Sequence, residues 1–143
     1  MSAQAQTILI VDDDYDFSES TAEFLRAHGF RVLQAHSGYE GLKRARLERP
    51  DLILMDVMME ERTEGFFTVQ QLRRDEGLTE IPILVVSSIY RDVPEFGVQP
   101  ESQWLGDDGF LPKPLDLDAL LAMIRDRLAR RAHNGARKHS GAS

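Results

Sequence analysis

The sequence contains no cysteine, so it has neither a disulfide framework nor a site that depends on a thiolate. It also has no apolar stretch of about 18 residues, the length that marks a candidate membrane-spanning helix. The opening segment MSAQAQ is polar and lacks the apolar region of a signal peptide. These absences predict a cytoplasmic protein with no part in a membrane.

What remains is the composition of one compact domain. The chain has 143 residues, 42% hydrophobic and 29% charged, which suffices for one core and not for two ordinary domains. The net charge is −7, but from Arg125 onwards six basic residues and one acid give +5, so residues 1–124 carry −12. An acidic body disfavours non-specific binding of nucleic acid. We interpret the basic end as a solvated helix terminus, with contact to RNA, DNA or an acidic partner as the alternative.

Short apolar runs mark the strands of the fold. The runs ILIV (8–11), LILM (52–55) and ILVV (83–86) are too short for helices. Strands that are apolar at every position are buried on both faces, as in parallel sheets. RVLQA (31–35) and FL (110–111) complete the predicted set.

Helical patterns alternate with these runs. One face of the first helix carries Phe17, Thr21, Phe24, Leu25 and His28, and Gly29 follows as its C-terminal cap. The last helix carries Leu117, Leu120, Leu121, Ile124 and Leu128 on one face, with Asp116 as its N-cap. Two further helices are predicted over 38–48 and 65–75. Pro94, Gly97 and Pro100 make a full helix over 91–106 doubtful. The alternation predicts a doubly wound α/β sheet with right-handed crossovers.

Chemically active side chains follow the strands at the point where each one ends. They are Asp12, Asp13 and Asp14 after the first run, Asp56 after the second, Ser87 and Ser88 after the third, and Lys113 after FLP. The carboxyl ends of parallel strands share one edge of a sheet, where ligands of such folds bind. Each motif alone has an ordinary explanation. The acids would form a solvated turn, the serines would end a strand, and the lysine would be a surface residue. Their joint placement favours a single site.

Clustered acids need a cation. Two carboxylates about 4 Å apart repel by about 4 kcal/mol at an effective dielectric near 20. Oxygen ligands without histidine or cysteine point to Mg²⁺ or Mn²⁺ rather than zinc. Lys113 and Ser87 can each contact a phosphate oxygen. A carboxylate, a divalent cation, an amine and a hydroxyl suit phosphoryl transfer onto Asp56.

The sequence resembles a response-regulator receiver domain of two-component signalling, of the stand-alone type. The matching segments are ILIVDDD, PDLILMDVMM, IPILVVSS and GFLPKPLD, in the order of the family. The resemblance implies a flavodoxin-like fold with a five-stranded parallel sheet of order 2-1-3-4-5. It implies a receiver domain over 7–130, between a disordered N-terminus (1–6) and a basic, disordered tail (131–143).

The resemblance also implies a role for each matched residue. Asp56 is the expected phosphoacceptor. Asp12, Asp13, Asp56 and the backbone carbonyl of Met58 hold the metal ion, with Asp13 as the direct ligand of the acidic pair. The residues that contact the phosphoryl group or switch with it are Ser87, Ser88, Lys113 and Phe110. The expected partners are a sensor histidine kinase or phosphotransfer protein and a downstream protein that the sequence does not identify.

Two segments depart from the family pattern. Residues 60–64 (EERTE) form a loop that is one residue longer than usual, lacks the usual proline and carries three glutamates. The segment from Ser87 to Phe110 is also longer than usual and is interrupted by prolines. These departures bear on phosphorylation rate, phosphoryl lifetime and partner recognition. Only 15 residues follow Leu128, too few for a helix-turn-helix module, so we expect no DNA-binding domain in this chain, which either works alone or is part of a longer one.

Two other functions remain open at this stage. The altered loop at 60–64 leaves room for a receiver-fold interaction module that acts without phosphorylation. A haloacid-dehalogenase-like phosphatase would use Asp12 and Asp14 as a D-x-D motif. A phosphatase would give Asp56 no role. The only well-placed lysine, Lys113, follows Gly106-Asp107-Asp108 instead of preceding it. The leading prediction is a phosphoacceptor and not an enzyme with turnover, apart from slow self-dephosphorylation.

Overall fold

The chain forms a five-stranded parallel sheet with helices on both faces. The computed structural model describes residues 5–56, 71, 72, 74, 75, 78, 80–87, 110–112 and 115–141, with the backbone alone at 87, 110, 112 and 131–141. The strands are β1 (Thr7–Val11), β2 (Arg31–Ala35), β3 (Leu52–Asp56), β4 (Ile83–Ser87) and β5 (Phe110–Pro112). The helices with complete bounds are α1 (Tyr15–Ala27), α2 (Gly38–Glu48) and α3 (Leu117–Gly141).

The strand order is β2-β1-β3-β4-β5, which confirms the predicted order. All four neighbouring pairs are parallel. In this register Val11 lies beside both Ala35 and Met55. The last residues of β1, β2 and β3 therefore lie together at one edge of the sheet.

Successive residues of each strand enter two separate cores, because side chains alternate across a sheet. Ile8 and Ile10 pack on the face that α1 and α3 cover. Leu9 and Val11 pack on the opposite face, together with Ala45 of α2. Every residue of β1 and β3 is buried. The prediction that uninterrupted apolar runs form strands covered on both faces is confirmed.

Helix α1 ends at the predicted glycine cap, and its buried face overlaps the predicted one. Phe17 and Phe24 are partly buried against the core, and the face extends to Ser18 and Ala22. Gly29 has φ +94° and donates its N–H to the Arg26 carbonyl, and the Phe30 N–H reaches the Leu25 carbonyl, which together form a Schellman cap. The buried residues are Ser18, Thr21, Ala22 and Leu25, whereas His28 is exposed. The small side chains at 18 and 22 allow α1 to lie close to the sheet. The Ser18 hydroxyl donates to Gln34 Oε1 at 2.7 Å, so its burial leaves no polar atom without a partner.

Helix α2 packs against β1 with no space for a side chain at Gly41. Ser37 caps its N-terminus by accepting from the Glu40 N–H at 3.1 Å. A Cβ built at Gly41 would lie 2.8 Å from both Cγ atoms of Val11. The glycine therefore sets the distance between this helix and the sheet.

Helix α3 begins where the sequence predicts and extends further than expected. Asp116 accepts from the Asp118 and Ala119 N–H groups, which confirms it as the N-cap. Leu120, Leu121, Ile124 and Leu128 are buried as expected. The helix continues to Gly141, through most of the segment for which disorder is predicted. Residues 129–141 include three alanines and three arginines, which favour helix.

Part of the sequence prediction lies outside the described residues. Of the helix predicted over 65–75, the structure describes residues 71, 72 and 74 as helical. The loop at 60–64, the segment 91–106 and residues 1–4 are not among the described residues. Within the described part of the chain, none of the helices combines the length and apolar character needed to cross a membrane.

Candidate functional site: an acidic cluster at the ends of β1 and β3

Asp12 is the first residue after β1 and is held rigidly. Its N–H donates to the Ala35 carbonyl at 3.0 Å, which extends the pairing of β1 with β2 by one residue. Its carboxylate accepts from the Asp14 N–H at 2.9 Å, in the manner of an Asx-turn. The residue is only 1% exposed. A carboxylate buried and oriented in this way is costly unless it has a further charged partner.

Asp56 ends β3 beside it. It pairs in register with Val86 of β4 and is 3% exposed. Asp13 is half-buried and completes the group. One carboxylate oxygen from each of Asp12, Asp13 and Asp56 lies within 4.8 Å of the other two. The prediction that the ends of β1 and β3 bring these acids together is confirmed.

Asp14, the third acid of the DDD run, has a different structural role. Its side chain accepts from the Phe17 N–H at 3.1 Å and caps the N-terminus of α1. It is exposed and is not part of the acidic cluster. This arrangement speaks against the D-x-D motif of a phosphatase, because the acid that joins Asp12 is Asp56 and not Asp14.

The other predicted site residues are described in part or not at all. Ser87 is the last residue of β4 and pairs in register with Pro112 of β5. Phe110 is the first residue of β5 and pairs with Val85. The backbone at Ser87 therefore lies at the same edge of the sheet as the acids. Met58, Ser88 and Lys113 lie outside the described residues.

Two residues near the cluster belong to none of the sequence motifs that predict the site. His36 follows β2 directly, and its Nδ1 lies 3.1 Å from the Asp12 carbonyl oxygen. The ring of Tyr15 stacks on the His36 ring, with centroids 3.9 Å apart and planes 18° apart. The available signal was positional, since His36 also stands at a strand end. The apolar pattern alone does not show that β2 lies beside β1.

The acids are suited to a hard divalent cation. The three oxygens belong to carboxylates, two of them almost fully buried, and the cluster includes no histidine or cysteine. Such a donor set fits Mg²⁺ or Mn²⁺, which leave several coordination positions to water and phosphate. The residues present therefore fit the predicted metal.

The chain is therefore a doubly wound α/β protein of flavodoxin-like topology, with an acidic site at the carboxyl edge of its sheet. The family model described as "Response regulator receiver domain" matches residues 8–125. The chain belongs to this family. Its members are phosphoacceptor signalling modules of two-component systems rather than classical enzymes.

Individual relatives agree with this assignment. The chain is 36% identical over 125 residues to the DNA-binding dual master transcriptional regulator RpaA of Synechocystis, covering 86% of this chain but 49% of RpaA. It therefore spans about half the length of that relative. It is 36% identical to the protein PilH of Pseudomonas aeruginosa, over 85% of this chain and 97% of PilH. The crystal structure of a CheY-like receiver domain protein from Methanospirillum hungatei superposes with a TM-score of 0.77 at 25% identity, covering 91% of this chain and 98% of that one.

Proposed function

We propose that Asp56 is the residue that accepts the phosphoryl group. The observation that carries this proposal is the clustering of Asp12, Asp13 and Asp56, whose oxygens lie within 4.8 Å of one another. Asp56 is the one member contributed by β3, in the centre of the sheet. In the transfer, a carboxylate oxygen of Asp56 forms a bond to phosphorus while the bond from phosphorus to the donor breaks, and the donor atom keeps the electron pair.

The donor in this proposal is a phosphohistidine of a sensor histidine kinase or phosphotransfer protein, and the reaction takes place in the cytoplasm. Receiver domains interact with such proteins, and the chain matches the family model over residues 8–125. The downstream partner is a protein whose identity the chain does not reveal. The phosphoryl group would leave Asp56 again by slow hydrolysis.

Asp12, Asp13 and Asp56 are the proposed metal ligands, together with the backbone carbonyl of Met58. When bound there, Mg²⁺ offsets the negative charge of the carboxylates and of the entering phosphoryl group. The protein's own contribution is to hold the acids in place beforehand. The Asp14 N–H and the paired backbone of β1 fix Asp12, and the register of β3 with β4 fixes Asp56.

Ser87, Ser88, Lys113 and Phe110 are the proposed phosphate-contacting and switch residues. Phosphorylation adds about −1.5 to −2 charge and strong acceptor oxygens. We expect the Ser87 hydroxyl and the Lys113 amine to meet those oxygens, Ser88 to leave room for the donor, and Phe110 to change rotamer with the move of Ser87. Such a local charge event biases an element with two states and so alters the partner-binding face.

The direct test is the intact mass of the protein after incubation with acetyl phosphate and Mg²⁺. We expect one added phosphoryl group on the wild type and none on Asp56→Asn, because the amide is not a nucleophile. Asp16→Asn is a matched control, since Asp16 is an exposed acid in the first turn of α1. It should be phosphorylated like the wild type.

Equal labelling of Asp56→Asn and the wild type would refute Asp56 as the acceptor. An absence of labelling in both, together with no response to beryllofluoride, would instead support an interaction module that acts without phosphorylation. Labelling that does not require Mg²⁺ would refute the proposed metal site while leaving the acceptor in place.

A further inference from the structure

The backbone of Asp12 is held by the end of β2 and by the residue that follows it. The Asp12 N–H donates to the Ala35 carbonyl at 3.0 Å. The carbonyl of Asp12 receives the next contact, from Nδ1 of His36 at 3.1 Å. A side chain thus continues the pairing of β1 with β2 beyond the last strand residues. The Asp12 carbonyl and the Asp13 N–H belong to the same peptide plane. A contact that orients the carbonyl therefore also orients the backbone N–H of Asp13.

The direction of this hydrogen bond defines the state of the ring. A backbone carbonyl only accepts hydrogen bonds, so Nδ1 of His36 must carry the hydrogen. In this contact the imidazole is the hydrogen-bond donor. The acceptor is the backbone carbonyl of Asp12, in the loop that bears the acids.

His36 is itself fixed on two sides. The Tyr15 ring stacks on it with centroids 3.9 Å apart and an interplanar angle of 18°. Its backbone N–H donates to Glu40 Oε1 at 2.9 Å, while the Glu40 N–H donates to the Ser37 hydroxyl. The first turn of α2 and the first residue of α1 thus hold the imidazole against the Asp12 carbonyl.

We infer that His36 is a positioning residue for the metal ligand Asp13, acting through the Asp12 carbonyl and held in place by the Tyr15 ring. This inference rests on the proposed function, because it assigns a role toward the metal that the acids bind there. His36 does not touch the metal or the phosphoryl group in this scheme. It keeps the backbone between the two acids in the orientation that the metal requires, so that the loop does not have to reorganise when the metal binds.

Two variants separate the hydrogen bond from the stacking. His36→Phe keeps a ring against Tyr15 and removes the donor. His36→Asn places a donor at nearly the position of Nδ1 and removes the ring. The readout is the Kd for Mg²⁺ of the purified full chain, measured by isothermal titration calorimetry, with circular dichroism to establish that each variant is folded.

The chain supplies a matched control at the far end of α1. Nδ1 of His28 lies 2.9 Å from the Phe24 carbonyl oxygen, and the two rings are 4.5 Å apart. His28 thus has the same kind of contacts as His36, a backbone carbonyl and an aromatic ring, away from the acids. His28→Phe reports what the loss of such contacts does to the protein in general.

We expect His36→Phe to raise the Kd for Mg²⁺ about tenfold, the lower end of the range for residues that orient metal ligands. His36→Asn should have a Kd closer to the wild type than to His36→Phe, and His28→Phe should match the wild type. Saturating Mg²⁺ should restore the phosphorylation rate of His36→Phe, since the acceptor is intact.

Equal affinity of the wild type and His36→Phe would overturn the inference and leave the proposed function standing. Equal losses in His36→Phe and His28→Phe would also overturn it, because they would indicate a general effect on folding. A wild-type protein that binds no Mg²⁺ would overturn the proposed metal site itself and the inference with it.

Discussion

At the scale of single residues, the informative feature is a set of acids that the fold holds close together. Asp12 and Asp56 are 1% and 3% exposed, and Asp13 is half-buried beside them. Carboxylates in such a group destabilise one another when no cation is present. The protein tolerates this because backbone N–H groups and strand pairing fix the acids, as at Asp12. Function and stability therefore oppose each other at this point.

This opposition can be measured at Asp13. In Mg²⁺-free buffer, Asp13→Asn should be more stable than the wild type by about 1 to 2 kcal/mol, because one charge is removed from a partly solvated cluster. With Mg²⁺ at about 100 times its Kd, the wild type should gain about 2.7 kcal/mol, whereas the variant should gain much less. Urea unfolding with and without Mg²⁺ measures both effects.

Glu23→Gln is the control for this measurement. Glu23 is an exposed acid on α1, and its substitution also removes one negative charge. It should leave both the metal-free stability and the gain with Mg²⁺ close to the wild type. A similar metal-free gain in Glu23→Gln would show that overall charge, and not repulsion within the cluster, is the cause.

At the scale of helices and strands, small residues determine how close each helix lies to the sheet. Ser18 and Ala22 are buried between α1 and the sheet. Gly41 has the same role in α2, because a Cβ at this position would lie 2.8 Å from Val11. Val11 directly precedes Asp12, so the packing of α2 also bears on the strand that carries the acids.

Gly41→Ala tests this packing. Alanine favours a helix interior over glycine by about 1 kcal/mol, but the contact with Val11 should cost about 1 to 3 kcal/mol. We expect a net loss of stability in thermal or urea unfolding. In a Val11→Ala background the same substitution should cost less, because the methyl groups that it meets are gone. An equal loss in both backgrounds would contradict the proposed contact.

At the scale of the whole molecule, two cores on opposite faces of one sheet support the site. The core under α1 and α3 includes Ile8, Ile10, Leu52 and Leu54, and the core under α2 includes Leu9, Val11, Ile53 and Met55. The central strands β1 and β3 contribute to both cores, and the acids follow or end these strands. Two strands that are buried on both faces therefore carry the site.

Helix α3 continues past the last buried side chain that the structure describes. Among the residues whose side chains are described, Leu128 is the last that is buried. A chain that ends after Arg130 should therefore have a stability within about 0.5 kcal/mol of the full chain, as for changes away from the core. Its labelling by acetyl phosphate should be unchanged. A larger loss of stability, measured by urea unfolding, would show that residues 131–143 pack on the domain.

The pattern of apolar and polar residues was enough to predict the order of the elements, the ends of the strands and the presence of acids at one edge of the sheet. Short apolar runs without interruption favour strands covered on both faces, and an acid directly after such a run is then expected at the edge of the sheet. This reasoning placed Asp12, Asp13, Asp14 and Asp56 at that edge without telling which of them cluster. The caps at Gly29 and Asp116 follow from local pattern. The flavodoxin-like order of the strands came from the resemblance to receiver domains, because apolar patterns do not encode which strands are neighbours.

Which neighbours these residues have became clear only from the folded chain. It separated Asp14, which caps α1, from the two acids that join Asp56. It placed His36 against the Asp12 carbonyl, a contact between residues 24 positions apart. It extended the buried face of α1 to Ser18 and Ala22 and left His28 exposed. Each of these results depends on how close two segments approach in space, and the approach is set by packing and not by the local pattern of either segment.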